Sequence, residues 1–174
     1  MNESANPAPE FSYEIDVGEV SRAGKTFHLV ANESEREKVA ARLQTPSVEK
    51  LEGDMKVTAS KTAVRITGDI TAELTRECVA SLEPLQETVS ESFEIDFTRI
   101  PPEAEDEENL DAPEYLEGAA LDLGELLVQQ LSLAMDPFPR KEGAQSLAEA
   151  YAPEEKVSPF AALKGVVGKS DDNQ

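Results

Sequence analysis

Residues 51–74 read LEGDMKVTASKTAVRITGDITAEL, and the fold turns on them. Leu51, Met55, Val57 and Ala59 alternate with polar residues, Ser60-Lys61-Thr62 supplies a polar turn, and Val64, Ile66, Ile70, Ala72 and Leu74 resume the alternation. A period of two marks a strand with one buried face, so the stretch predicts an antiparallel hairpin with Gly68 as a bulge or bend.

The same period recurs on both sides. Phe11, Tyr13, Ile15 and Val17 predict a strand with one buried face that Gly18 ends, and Thr26 to Val30 predicts a short one with Phe27 and Leu29 on one face and His28 on the other. Val89, Phe93, Ile95 and Phe97 predict another, with acids and serines facing outward. Helical signals are separate. Asn32, three residues before Glu35, has the form of a capping box for ESEREKVAARL, which carries Val39, Ala40 and Leu43 on one stripe and closes at Pro46. Asp122 stands as a cap for a helix bearing Leu126, Leu127, Leu131, Leu133 and Met135 until Pro137. Consecutive strands without long helical crossovers imply antiparallel pairing. The expected class is α+β: an antiparallel sheet or open β-barrel-like core with flanking helices.

The 174 residues suffice for one sizeable core. The expected organisation is a disordered N-terminus over 1–9, one domain over 10–140 that includes an acidic loop at 101–117, and a linker with a short apolar docking segment over 141–174. A short helical stretch is expected from Ser146 to Tyr151. No apolar run approaches the eighteen or so residues of a membrane span. MNESANPAPEF has neither the basic start nor the apolar core of a targeting signal. A cytoplasmic protein is expected, and a single cysteine agrees with a reducing compartment.

Charge narrows the function. The net charge is -20, which repels a nucleic-acid backbone and attracts basic proteins. Between Glu87 and Glu125 fourteen acids stand against Arg99 alone, a local charge of -13. Glu103, Glu105, Asp106, Glu107, Glu108 and Asp111 form its densest part and are candidate partner-binding residues, together with Phe160 and Leu163 of the apolar tail segment. Glu103 to Asp111 lacks the glycine and acid spacing of a calcium loop. No phosphate-binding glycine loop, Gly-x-Ser-x-Gly element or His/Glu metal motif is present. Cys78 and His28 are the only thiol and imidazole and lie far apart in sequence. A free thiol with no base in view reads as structural. No catalytic residue, small-molecule substrate or cofactor is assigned.

Three stretches in order carry a resemblance: Cys78-Val79-Ala80-Ser81-Leu82-Glu83-Pro84; Leu121-Asp122-Leu123-Gly124-Glu125-Leu126-Leu127 running on to Leu131-Ser132-Leu133-Ala134-Met135-Asp136-Pro137; and Ser158-Pro159-Phe160-Ala161-Ala162-Leu163. Together they resemble the YceD family of large ribosomal RNA subunit accumulation proteins. The signature residues are Cys78, Ser81, Leu82, Pro84, Asp122, Leu123, Glu125 and Leu126. The resemblance implies a role in 23S ribosomal RNA accumulation through synthesis, processing or stability, and no known reaction. Some relatives carry a cysteine pair at the signature and further cysteines near the Pro137 region, a set able to hold zinc. Here Ser81 takes the second position and no later cysteine exists, so no metal is expected. The expected function is a ribosome biogenesis factor that binds basic ribosomal or RNA-processing proteins and reaches the 23S rRNA precursor directly or indirectly, with Arg76 and Arg99 as candidate RNA contacts. Alternatives are a metal-dependent RNA-processing enzyme and an acidic adaptor unrelated to RNA. In the Cys78 turn, Leu82 and Leu85 are expected to be buried and Pro84 to stiffen the chain.

Overall fold

The two alternating runs pair along their whole length. In the computed structural model, which describes residues 9–101 and 113–144, β3 (Ser47–Ala59) and β4 (Ala63–Glu77) are antiparallel, with Val57 opposite Ile66, Met55 opposite Gly68 and Leu51 opposite Ala72. The turn closes at Ser60, whose N–H donates to the Ala63 carbonyl at 2.8 Å and whose Oγ accepts the Ala63 N–H at 3.0 Å. β5 (Pro84–Thr98) pairs antiparallel with β4 over fifteen residues without a slip.

Gly68 is not a bulge. It keeps register with Met55 and Phe93, and a Cβ there would stand 2.7 Å from Cζ of Phe93 and 2.9 Å from the Asp54 carbonyl oxygen. Its lack of a side chain leaves room for the Phe93 ring across the sheet. The register shift occurs instead between Val48 and Lys50, where Glu49 is the extra residue.

The remaining strands complete two sheets. β2 (Lys25–Val30) pairs antiparallel with β3, burying Phe27 and Leu29 and exposing His28, as the alternation requires. β6 (Glu114–Tyr115) runs parallel to the end of β5, so the expected acidic loop contains a strand. The larger sheet is open, in the order β2-β3-β4-β5-β6. β1 (Glu14–Asp16) and β7 (Ala120–Asp122) form a separate antiparallel pair. β1 is shorter than the alternation over Phe11 to Val17 implies, because the Asp16 carboxylate accepts the Gly18 N–H at 2.7 Å and turns Val17–Glu19 into one 3-10 turn. Tyr13 departs from the expected buried face. Its ring packs edge-on to Phe27 but stays 45% exposed.

Helix α1 (Glu33–Leu43) has the bounds its capping box implies: Oδ1 of Asn32 accepts the Glu35 N–H and Oε2 of Glu35 accepts the Asn32 N–H. It ends at Gln44, whose left-handed backbone (φ 54°) breaks the helix two residues before Pro46. Helix α2 (Leu123–Ala134) buries Leu126, Leu127 and Leu131. Leu133 falls off that stripe and is 78% exposed. Both helices serve one face of the sheet. Leu127 of α2 lies against Gly53 of β3, and Arg42 of α1 reaches Glu125 of α2. The opposite face is polar and lacks a helix among the described residues, with Asp54, Lys56, Thr67, Asp69, Ser92 and Glu94 lining a shallow trough of about 530 Å³. The core joins the helix-side residues of β2 to β5 to both helices, with Leu51, Met55, Val57, Ile66, Leu74 and Leu127 fully enclosed.

Candidate functional site

The signature stretches stand at opposite ends of α2, whose twelve residues span about 18 Å at the helical rise. At its start, one carboxylate does two tasks. Oδ1 of Asp122 accepts the N–H groups of Gly124 and Glu125, capping the helix, and also the N–H of Tyr13 at 2.8 Å, while Oδ2 accepts the Ser12 hydroxyl. Leu123 returns its N–H to the Tyr13 carbonyl. Glu125 is held by Arg42 through two hydrogen bonds of 2.7 Å, and the same guanidinium takes Glu10 at 2.8 Å. This fork pulls the Glu125 carboxyl below its ordinary range and raises Arg42 through Glu125 first and Glu10 second. The signature thus supplies a helix cap and a strut between helices.

At the other end lies the Cys78 turn. The N–H of Cys78 donates to the Glu83 carbonyl and its own carbonyl accepts the Leu82 N–H, closing residues 78–83 into a knot between β4 and β5. Leu82 takes a left-handed backbone (φ 58°) and is 61% exposed, which corrects its expected burial: the tight turn aims it outward. Leu85 is half-buried and Pro84 opens β5. The strap after α2, residues 135–141, docks on this knot. Val79 donates its N–H to the Pro139 carbonyl at 2.9 Å, Lys141 donates its N–H to Sγ of Cys78 at 3.4 Å, and Nζ of Lys141 reaches Glu83 at 3.0 Å.

A second clasp lies beside it. Arg76 donates to Glu87 at 2.6 Å and to the Asp136 carbonyl at 3.1 Å, and Glu87 accepts the Asp136 N–H at 2.8 Å. Arg76 and Glu87 are 14% and 15% exposed. The guanidinium expected at an RNA contact is therefore turned inward and engaged by the protein itself. Arg99 is also half-buried, with its N–H on the Thr62 carbonyl and its side chain directed at the Ser60 carbonyl across the β3–β4 turn. Sequence reasoning missed the clasp and the Arg42 strut, because their partners lie 11 to 83 positions apart with no local pattern to join them.

The Cys78 thiol is lowered to about 6, by the Lys141 N–H first and then by hydrogen bonds from Ser81, against burial. Low pKa without access is not reactivity. Cys78 has no exposed surface, so iodoacetamide at pH 7.5 should modify the native protein only as fast as it opens. Modification within minutes in the absence of denaturant would contradict that placement.

The structure brings together the two stretches that carry cysteines in some relatives, but the donor set here is one sulfur and Ser81, which does not fit zinc. Among the described residues no three His, Cys, Asp or Glu side chains are grouped to hold a metal ion, and no helix is long and apolar enough to cross a membrane. The candidate partner residues Glu103, Glu105, Asp106, Glu107, Glu108, Asp111, Phe160 and Leu163 lie outside the described residues, as do residues 1–8 of the expected N-terminal tail and the stretch Ser146 to Tyr151. The ends of the acidic segment, Pro101 and Pro113, are placed at the β5–β6 edge.

Neither the search of curated proteins nor that of solved structures returned a match. Residues 66–166 match the family described as "Large ribosomal RNA subunit accumulation protein YceD". The match begins within β4 and takes in the Cys78 turn, β5, β6, β7, α2 and the strap, whereas β1, β2, α1 and β3 precede it. Since the match covers more than half of the chain, the protein belongs to the YceD family, whose name ties it to accumulation of the large ribosomal RNA.

Proposed function

We propose that the protein is a ribosome biogenesis factor that supports 23S ribosomal RNA accumulation without catalysing a reaction, by holding a basic ribosomal or RNA-processing protein on its acidic side. The observation that carries this reading is the segregation of charge. Fourteen acids against one arginine occupy Glu87 to Glu125, and the described part of that stretch builds β5, β6, β7 and the start of α2. Such a field accelerates encounter with cationic partners and disfavours direct wrapping by RNA, so contact with the 23S precursor is through the partner.

Glu103, Glu105, Asp106, Glu107, Glu108 and Asp111 are the residues to test. Neutralising all six should remove basic ribosomal or processing proteins from those captured at physiological salt, and should lower the 23S to 16S ratio in cells relying on the variant. An unchanged partner list would sink the acidic-surface role.

A further inference from the structure

We propose that the outer edge of β5 is a docking site for an extended, basic segment of a partner protein, which adds to the sheet as a further strand beside residues 88–96. The inference rests on the acidic-surface reading above and supplies its geometry. Three backbone bonds fix which groups of β5 are free. Glu83 receives Cys78 and Arg99 donates to Thr62, both toward the β3–β4 side, whereas Thr98 presents its carbonyl outward to Leu116 of the β6 side. The pairing between has no slip. Alternation along a strand therefore turns the N–H and C=O of Thr88, Ser90, Ser92, Glu94 and Asp96 outward. β6 covers only Phe97 and Thr98, so among the described residues these five have no strand partner on that side.

A long unpaired edge is a template for another chain. Here its surroundings select the occupant. On the helix side, a groove of about 350 Å³ runs between β5 and the last turn of α2, lined by Glu91, Phe93, Gln130 and Leu133, the last with 78% of its surface exposed. On the polar side, the facing rows of β4 and β5 carry Glu73, Asp69, Glu94 and Asp96 against Arg65 alone, which pairs with both Glu94 and Asp96. With alternate side chains, a strand laid along this edge would meet Phe93 and Leu133, with Glu91 and Gln130 beside them, and with the others net negative charge. That pattern fits alternating apolar and Lys/Arg residues. A second copy of this chain would bring its own acids to the same edge and be repelled.

The test uses the whole chain and two capped peptides, KVKVKVK and EVEVEVE, with amide exchange read residue by residue by NMR. KVKVKVK should slow exchange at Ser90, Ser92 and Glu94, and EVEVEVE should not. Ser90 is exposed and makes no side-chain bond to the described residues, so proline there removes one outward donor. Ser90→Pro should bind KVKVKVK about tenfold more weakly than Ser90→Ala, as expected for the loss of one well-placed hydrogen bond and its geometry. The exchange measurement on the unaltered protein stands even where proline disturbs folding. Salt-sensitive binding of KVKVKVK with no protection on β5, or with equal affinity in both variants, would overturn strand addition and leave the acidic-surface reading intact. Equal protection by EVEVEVE, or no binding of either peptide, would also overturn it, whereas the acidic-surface reading fails on the capture experiment with the six acids neutralised.

Discussion

Arg76→Ala is expected to destabilise the protein by about 3 kcal/mol, the lower end of the range for removing one member of a buried ion pair. The residue is 14% exposed and bonds both Glu87 and the Asp136 carbonyl. Truncation leaves Glu87, itself 15% exposed, without a countercharge and with the Asp136 N–H as its remaining partner. It also removes the tie between β4 and the strap. Urea denaturation followed by circular dichroism reads the loss directly, and pairing the change with Glu87→Gln in a double-mutant cycle isolates the coupling. Because the strap covers Cys78, modification of the thiol should accelerate in the same variant. A urea midpoint equal to that of the unaltered protein would show that the clasp contributes nothing.

Gly124→Ala should cost about 2 kcal/mol, net of the ~1 kcal/mol by which alanine favours a helix over glycine. A Cβ at this position would stand 2.7 Å from the Phe11 carbonyl oxygen and 2.9 Å from both Phe11 C and Ser12 Cα. These are backbone atoms and cannot rotate away. The conflict can be relieved only by moving the N-terminal segment off α2, which breaks the bonds from Ser12 and Tyr13 to Asp122 and the pairing of β1 with β7. The sign is the test. Helix propensity alone makes the alanine variant more stable, and a raised melting temperature would refute the close approach.

These sites mark where sequence reading reached and where it stopped. The hairpin, the second strand and α1 were legible because each depends on neighbours: alternation, a polar turn, a capping box. The cap of α2 was legible for the same reason, since Asp122 lies within three residues of what it caps. The helix stripe failed at Leu133, which lies away from the buried Leu127 and Leu131. Leu82 failed because hydropathy carries no information about a left-handed turn. Gly68 could be marked as special, but the ring that covers it belongs to another strand, 25 positions on. Arg76 offered only its charge. Whether such a group meets RNA or its own fold depends on Glu87 and Asp136, and no local rule points to them. The edge of β5 left unpaired among the described residues was equally hidden, because strand order is a property of the assembled sheet.

Asp122 also bears on the timing of folding. Its bond to Tyr13 spans 109 positions, so the first strand of the chain cannot settle until the chain has been synthesised past Asp122. The β2 to β5 strands can assemble from contacts closer in sequence as they emerge, while the N-terminal segment waits for β7. Closing so long a loop is slow relative to pairing a hairpin. Among the described elements, the two-stranded sheet should therefore be the last to form, and it locks strands already in place.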